Sequence, residues 1–156
     1  MPGSTSTATA LPWHRMIVVD ASVWVRALVD DSSAGNAARR ALTNDPDWVA
    51  PTHMPVEVLR TLRRYEAVGV LTTAQADEFA TEVGGATVRY APPEPWLLAA
   101  IWARRHNVSP YDAGYLALAE RYDVPLVTMD ERLARAAGQL GVSATVPKSD
   151  PAGPAP

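Results

Sequence analysis

Four carboxylates in this chain stand where chemistry could be built: Asp20, Glu57, Asp112 and Asp130. Asp20 ends the apolar run Ile17-Val18-Val19, and Asp130 ends Leu126-Val127-Thr128-Met129. Both runs read as short strands buried on two faces, as in a parallel sheet. Glu57 follows Pro55 in the first turn of an expected helix, and Asp112 stands three residues after Ser109 at the start of another. Each has an ordinary explanation. Asp20 and Asp130 suit helix N-caps, Asp112 suits the acid of a capping box, and Glu57 suits the positive end of a helix dipole. The joint case is different. In a right-handed parallel α/β sheet, helices that follow strands begin at the same edge, so residues at those starts converge. Carboxylates brought together repel, and some stay protonated unless a cation sits among them. A donor set of oxygens without thiolates suits Mg2+ or Mn2+. Such an ion neutralises phosphoryl charge and lowers the pKa of water, which is the chemistry of phosphodiester hydrolysis.

The elements that would position these groups alternate between strands and helices. The patterning predicts a helix over residues 22–29, a second set of helical turns over 37–42 after the break at Asp30-Asp31-Ser32-Ser33, and a strand over 48–51. A helix follows from Pro55 to about Val68, with Val56, Leu59 and Leu62 at helical spacing and Glu57 on the face of Arg60 and Arg64. Thr72 or Thr73 caps the next helix, which ends at Gly84-Gly85, and residues 87–90 form a strand closed by Pro92-Pro93. A strongly apolar helix spans 96–105. Ser109 as N-cap and Pro110 at N1 start the next, to about Tyr122. Strands over 125–129 and 142–146 flank a helix to about Ala137. This order predicts a parallel sheet with helices on both faces. Residues 1–15 are Ser/Thr/Ala/Pro-rich without the apolar segment of a secretory signal and read as a disordered extension. Residues 147–156 read as a disordered tail, leaving 16–146 as one folded domain.

Composition narrows the function classes. The 156-residue chain can bury a sizeable core, and its net charge of −3 supplies no global basic field for nucleic acid. A nucleic-acid partner therefore needs local patches. Lys148 is the only lysine, and every other cation is arginine, the better side chain for bidentate phosphate contacts. Arg60, Arg63 and Arg64 follow Glu57 along one helix, and Arg104-Arg105-His106 end another; both groups suit phosphates, or a helix dipole. The absence of cysteine excludes disulfides, thiolate zinc sites and cysteine nucleophiles, and no apolar run approaches the roughly 20 residues that span a bilayer. His14, His53 and His106 show no metal-ligand spacing and read as structural or exposed. Trp96 and Trp102, six apart on the apolar helix, read as core. No G-x-S-x-G, Walker A or G-x-G-x-x-G segment occurs.

Four segments taken in order carry a family likeness: Val18-Val19-Asp20-Ala21-Ser22, Pro55-Val56-Glu57-Val58-Leu59, the run from Tyr111-Asp112-Ala113 through Tyr115-Leu116-Ala117-Leu118-Ala119, and Pro125-Leu126-Val127-Thr128-Met129-Asp130-Glu131-Arg132-Leu133. With them, the chain resembles a PIN-domain ribonuclease of the VapC toxin type from about Met16 to Val146. The resemblance implies a three-layer α/β/α domain around a central parallel sheet. It maps the family's acidic positions onto Asp20, Glu57, Asp112 and Asp130, with Asp20 and Asp112 as ligands of Mg2+ or Mn2+ and Asp130 acting at one remove, through water or a neighbouring group. Ser22 matches the hydroxyl that orients the first carboxylate, and Thr128 matches a small polar position before the last. Arg60, Arg64, Arg104 and Arg105 are the candidate RNA contacts. The resemblance further implies an endoribonuclease toxin, cytoplasmic, homodimeric, inhibited by a cognate antitoxin and using a metal-activated water on RNA.

Two other readings compete. A Mg2+-dependent α/β phosphatase or receiver domain also places an Asp after its first strand, but the phosphatase pattern wants a second Asp where Ser22 stands. Both want a lysine near the site, whereas Lys148 lies in the expected tail. A non-catalytic PIN-like module binding RNA or protein would be favoured had any of the first three acids been lost, and none is.

Overall fold

The structure is a computed structural model that describes residues 15–150. The expectations for the rest of the N-terminal extension and for 151–156 lie outside the described residues. The strands are β1 (Met16–Val19), β2 (Asp47–Pro51), β3 (Arg89–Ala91), β4 (Leu126–Val127) and β5 (Ala144–Thr145). The helices are α1 (Ala21–Val29), α2 (Ser33–Asn44), α3 (Met54–Ala67), α4 (Thr73–Gly85), α5 (Pro95–Ala103), α6 (Pro110–Tyr122) and α7 (Glu131–Gln139). All strand pairs are parallel, in the order β3-β2-β1-β4-β5, and the helices complete a three-layer α/β/α domain.

β1 is central because its residues can be dry on both faces. Ile17, Val18 and Val19 are at most 1% exposed, and β-branched side chains pack well on a pleated surface. Val18 pairs with Val49 on one side and Leu126 on the other. From β1 the chain winds outward through β2 to β3, then crosses back to β4 and β5. The direction of winding thus reverses between β1 and β4, and a crevice at such a switch point is where open α/β sheets bind ligands. Asp20 and Asp130 leave the sheet on either side of it.

One helix and three strands differ from expectation. α2 begins at Ser33, four residues before the expected 37–42 turns, because Ser32 caps it: its Oγ accepts from the Ala34 amide at 3.2 Å. The polar run that breaks α1 therefore also starts α2. The outer strands β3 and β5 are shorter than the expected 87–90 and 142–146, and so is β4, expected over 125–129, although it has a neighbour on each side. Residues 147–150, expected as tail, reach α2: Ser33 donates to Ser149 at 3.1 Å, and Arg40 lies 3.3 Å from Asp150.

The α1–α2 corner tolerates no side chain at Gly35. A Cβ there would stand 1.7 Å from the Asp30 carbonyl oxygen. Backbone cannot yield as a side chain can, so Gly35→Ala is expected to destabilise by about 2–4 kcal/mol. In a thermal melt that is a fall of roughly 5–15 °C for a domain of this size. An unchanged melting temperature would mean that the corner relaxes freely.

Candidate active site

Asp20 is the first residue after β1 and is 6% exposed. It occupies the N-cap position of α1, yet no helix amide makes a well-formed capping bond to its carboxylate; the Ser22 amide is near enough only to help hold its pKa down. The Ser22 hydroxyl donates to Oδ2 instead, and the Thr128 hydroxyl donates to the same oxygen at 2.7 Å. Each hydroxyl is filled from behind. The Met129 amide donates to Ser22 Oγ at 2.9 Å, and the Asp130 amide donates to Thr128 Oγ1 at 3.0 Å. Both hydroxyl protons are thereby directed at one carboxylate oxygen, across the seam between the ends of β1 and β4. Burial pushes the Asp20 carboxyl above its ordinary range, the Ser22 and Thr128 donors oppose that, and the Asp130 charge adds to it.

The other three acids gather around it. Glu57, in the first turn of α3, accepts a hydrogen bond from Tyr115 Oη at 2.9 Å. Burial, with the Asp20 and Asp112 charges nearby, pushes its pKa up to about 7, while Tyr115 and Arg60 hold it back. Asp112 lies in the first turn of α6, where Ser109 caps the helix by accepting from the Asp112 amide at 3.1 Å. Its carboxyl is raised, first by burial and then by Asp20. Asp130 caps α7: its Oδ1 accepts from the amides of Arg132 at 2.9 Å and Leu133 at 3.2 Å. One of the two strand-end aspartates is therefore a cap and the other is not.

The donor set fits a hard divalent cation. It is all oxygen, and three of its carboxyls are held above their ordinary pKa by burial and by one another's charge, a condition that a bound cation relieves. Among the described residues no three Asp, Glu or His side chains are already gathered closely enough to cage an ion. An ion bound through one or two carboxylates and otherwise hydrated, as Mg2+ usually is, needs no such cage.

The arginines divide. Arg104 is turned away from the acids: it pairs with Glu120 of α6, donates to the Ala100 carbonyl at 2.9 Å, and its side chain is only 15% exposed. It ties α5 to α6. Arg105 lies over the Trp102 ring at 4.7 Å and lines, with His106 and Arg132, a cavity of about 310 Å³ that reaches Asp112. Arg64 lines a wider groove of about 620 Å³ with Ser22, Arg26 and Asp130. Arg60 lies close enough to Glu57 to lower its pKa. Trp102, expected in the core, is 67% exposed, whereas Trp24 and Trp48 pack edge-to-face at 5.6 Å.

Sequence reasoning passed over two residues beside the acids. Tyr115 is fully buried, and its hydroxyl meets Glu57. His53, read as structural or exposed, precedes Glu57 by one helical turn, with Nε2 3.7 Å from Glu57 Oε1. The only signals for them were spacings of three after Asp112 and four before Glu57, and such spacings are common on any helix.

Comparison with known proteins places this geometry in a family setting. The family profile of the PIN domain matches residues 17–139. Ribonuclease VapC3 of Mycobacterium tuberculosis is 40% identical over 121 residues, covering 77% of this chain and 86% of that protein. Ribonuclease VapC1 of the same organism is 37% identical over 121 residues, covering 78% of this chain and 90% of that protein. Among solved structures, Mycobacterium tuberculosis VapC20, a Sarcin-Ricin loop cleaving toxin, matches with a TM-score of 0.61 at 19% identity, over 77% of this chain and 94% of its own. That likeness speaks for the fold.

Proposed function

The chain belongs to the PIN-domain family, and from that premise we propose that it is an endoribonuclease, the toxin of a type II toxin–antitoxin system, hydrolysing RNA phosphodiesters with the help of a divalent metal. Relatives named as VapC ribonucleases support the reaction class. One observation carries the site: Asp20 holds a helix-cap position without capping, while two hydroxyls from opposite sides of the β1–β4 seam fix it. A residue kept only as a cap would spend its carboxylate on the helix amides, as Asp130 does.

In this reading Asp20 and Asp112 would hold Mg2+ or Mn2+. When bound, the ion supplies positive charge for the phosphoryl oxygens and makes a nearby water more acidic. Glu57, whose carboxyl burial and the neighbouring acids raise in the absence of a cation, would be freed to accept a proton from the attacking water once the ion is bound. Ser22 and Thr128 keep Asp20 in one orientation, and Asp130 supports them through the amide it donates to Thr128. Arg60, Arg64 and Arg105 provide phosphate contacts on the flanks of the acids.

The partners are RNA, a cognate antitoxin and a second copy of this chain. Val56 and Leu59 on α3 and Leu98 and Trp102 on α5 are exposed apolar residues available to such protein partners. Among the described residues no helix is long and apolar enough to cross a membrane. A cytoplasmic location is proposed from the toxin reading alone. Expression of the chain alone is expected to arrest bacterial growth with cleavage of cellular RNA. Co-expression of the small protein encoded beside it is expected to restore growth. A folded, metal-saturated chain that leaves all cellular RNA intact would overturn the reading.

A further inference from the structure

We propose that Tyr115 and His53 are positioning residues that hold Glu57 from behind, so that its carboxylate meets the reaction in one orientation. The inference rests on Glu57 taking part in the proposed cleavage.

Tyr115 has no exposed surface, and a buried phenol needs a polar partner. Its hydroxyl donates to Glu57 Oε2 at 2.9 Å, while the Ala21 amide faces the same phenol oxygen. Ala21 directly follows Asp20. The hydroxyl on α6 that meets the Glu57 carboxylate on α3 thus lies beside the backbone that follows Asp20. Without it, Glu57 has three free side-chain torsions in the first turn of its helix.

His53 closes the other side. Its Nε2 is buried with no hydrogen-bond partner and faces Glu57 Oε1 at 3.7 Å. The ring is held edge-on between Tyr111 at 5.2 Å and Tyr115 at 5.4 Å. Its slot exists because residue 114 has no side chain: a Cβ on Gly114 would stand 3.0 Å from His53 Cε1. An aromatic cluster that served only to fill space would have no use for an unpartnered nitrogen facing a carboxylate. α6 thus supplies the Tyr115 hydroxyl on one side of Glu57 and, through the Tyr111 ring and the bare Gly114, the slot that seats His53 on the other.

Tyr115→Phe keeps the ring and removes the hydroxyl. It is expected to lower kcat by about 10- to 100-fold, the usual consequence of a misplaced catalytic group, with KM and the circular dichroism spectrum unchanged. In a Glu57→Gln background the same substitution is expected to add almost nothing, because the two act as one unit. Additive losses, or a wild-type kcat for folded Tyr115→Phe, would overturn the inference while leaving the ribonuclease reading intact. A Glu57→Gln variant that cleaves at the wild-type rate would instead remove Glu57 from the reaction and the clamp with it. Should Tyr115→Phe fail to fold, Gly114→Ala decides the matter. It displaces the His53 ring by tenths of an ångström with every polar group retained, and kcat is expected to fall roughly severalfold at constant KM. An unchanged kcat there would overturn the clamp.

Discussion

Asp20→Asn is expected to lower RNA cleavage by at least about 10³-fold while the domain stays folded, since charge stabilisation at a phosphoryl centre contributes several kcal/mol. The substitution preserves side-chain shape. Both hydroxyl donors already converge on a single oxygen, Oδ2, so an asparagine carbonyl oxygen can accept both. The change also removes a buried charge whose ionisation burial opposes. Metal-free Asp20→Asn should therefore melt at or above the wild-type temperature near neutral pH. Loss of activity with retained stability separates a site residue from a structural one. Purified variant that cleaves RNA at the wild-type rate would remove Asp20 from the site.

Chelating divalent metal is the second large effect. EDTA is expected to stop cleavage, and Mg2+ or Mn2+ to restore it. Activity that persists in metal-free buffer would assign cleavage to another mechanism. The same experiment has a readout in stability. Glu57 is raised from 4.5 to about 7, and Asp20 and Asp112 are raised as well. The folded protein thus holds these protons more tightly than the unfolded chain does. Their contribution is most favourable below the unfolded values near pH 4 and is lost as pH rises through the folded values, toward pH 7 for Glu57. For Glu57 alone this is on the order of 3 kcal/mol. In EDTA the protein should melt at a lower temperature at pH 8 than at pH 5, and Mg2+ should close the gap. Equal stabilisation by Mg2+ at both pH values would mean that the cation does not bind these carboxylates.

Much of the arrangement is legible in the chain because it depends on local rules. Ile17-Val18-Val19 reads as a doubly buried strand from side-chain type alone, and Ser109-Pro110 marks the start of α6 because capping involves residues within one turn. Helix starts at strand ends then suffice to bring Asp20, Glu57 and Asp130 to one edge, whereas Asp112 opens a helix that follows α5 and reaches them through packing. Harder to see was the start of α2, where the same polar residues both end one helix and begin the next. The edge strands were equally hard to bound, because their extent depends on a neighbour rather than on their own residues.

What each charged group does is a different matter, and the fold decides it. Asp20 and Asp130 are equivalent in the sequence: each follows a short apolar run and precedes a helix. Only in the folded protein does Asp130 turn to the amides of α7, while Asp20 is taken by a hydroxyl 108 residues away. Arg104 and Arg105 are adjacent, yet one is committed to Glu120 and the other stands beside the Asp112 cavity. Tyr115 reaches Glu57 across 58 residues. The sequence by itself determined which acids exist and where strands yield to helices, and hence that Asp20, Glu57 and Asp130 start helices at one edge, because propensity, patterning and capping act over a few residues. The tertiary structure alone decided which carboxylate is desolvated and which hydroxyls, phenol and imidazole confront it. Burial and hydrogen-bond partnership are properties of packing between segments distant in the chain.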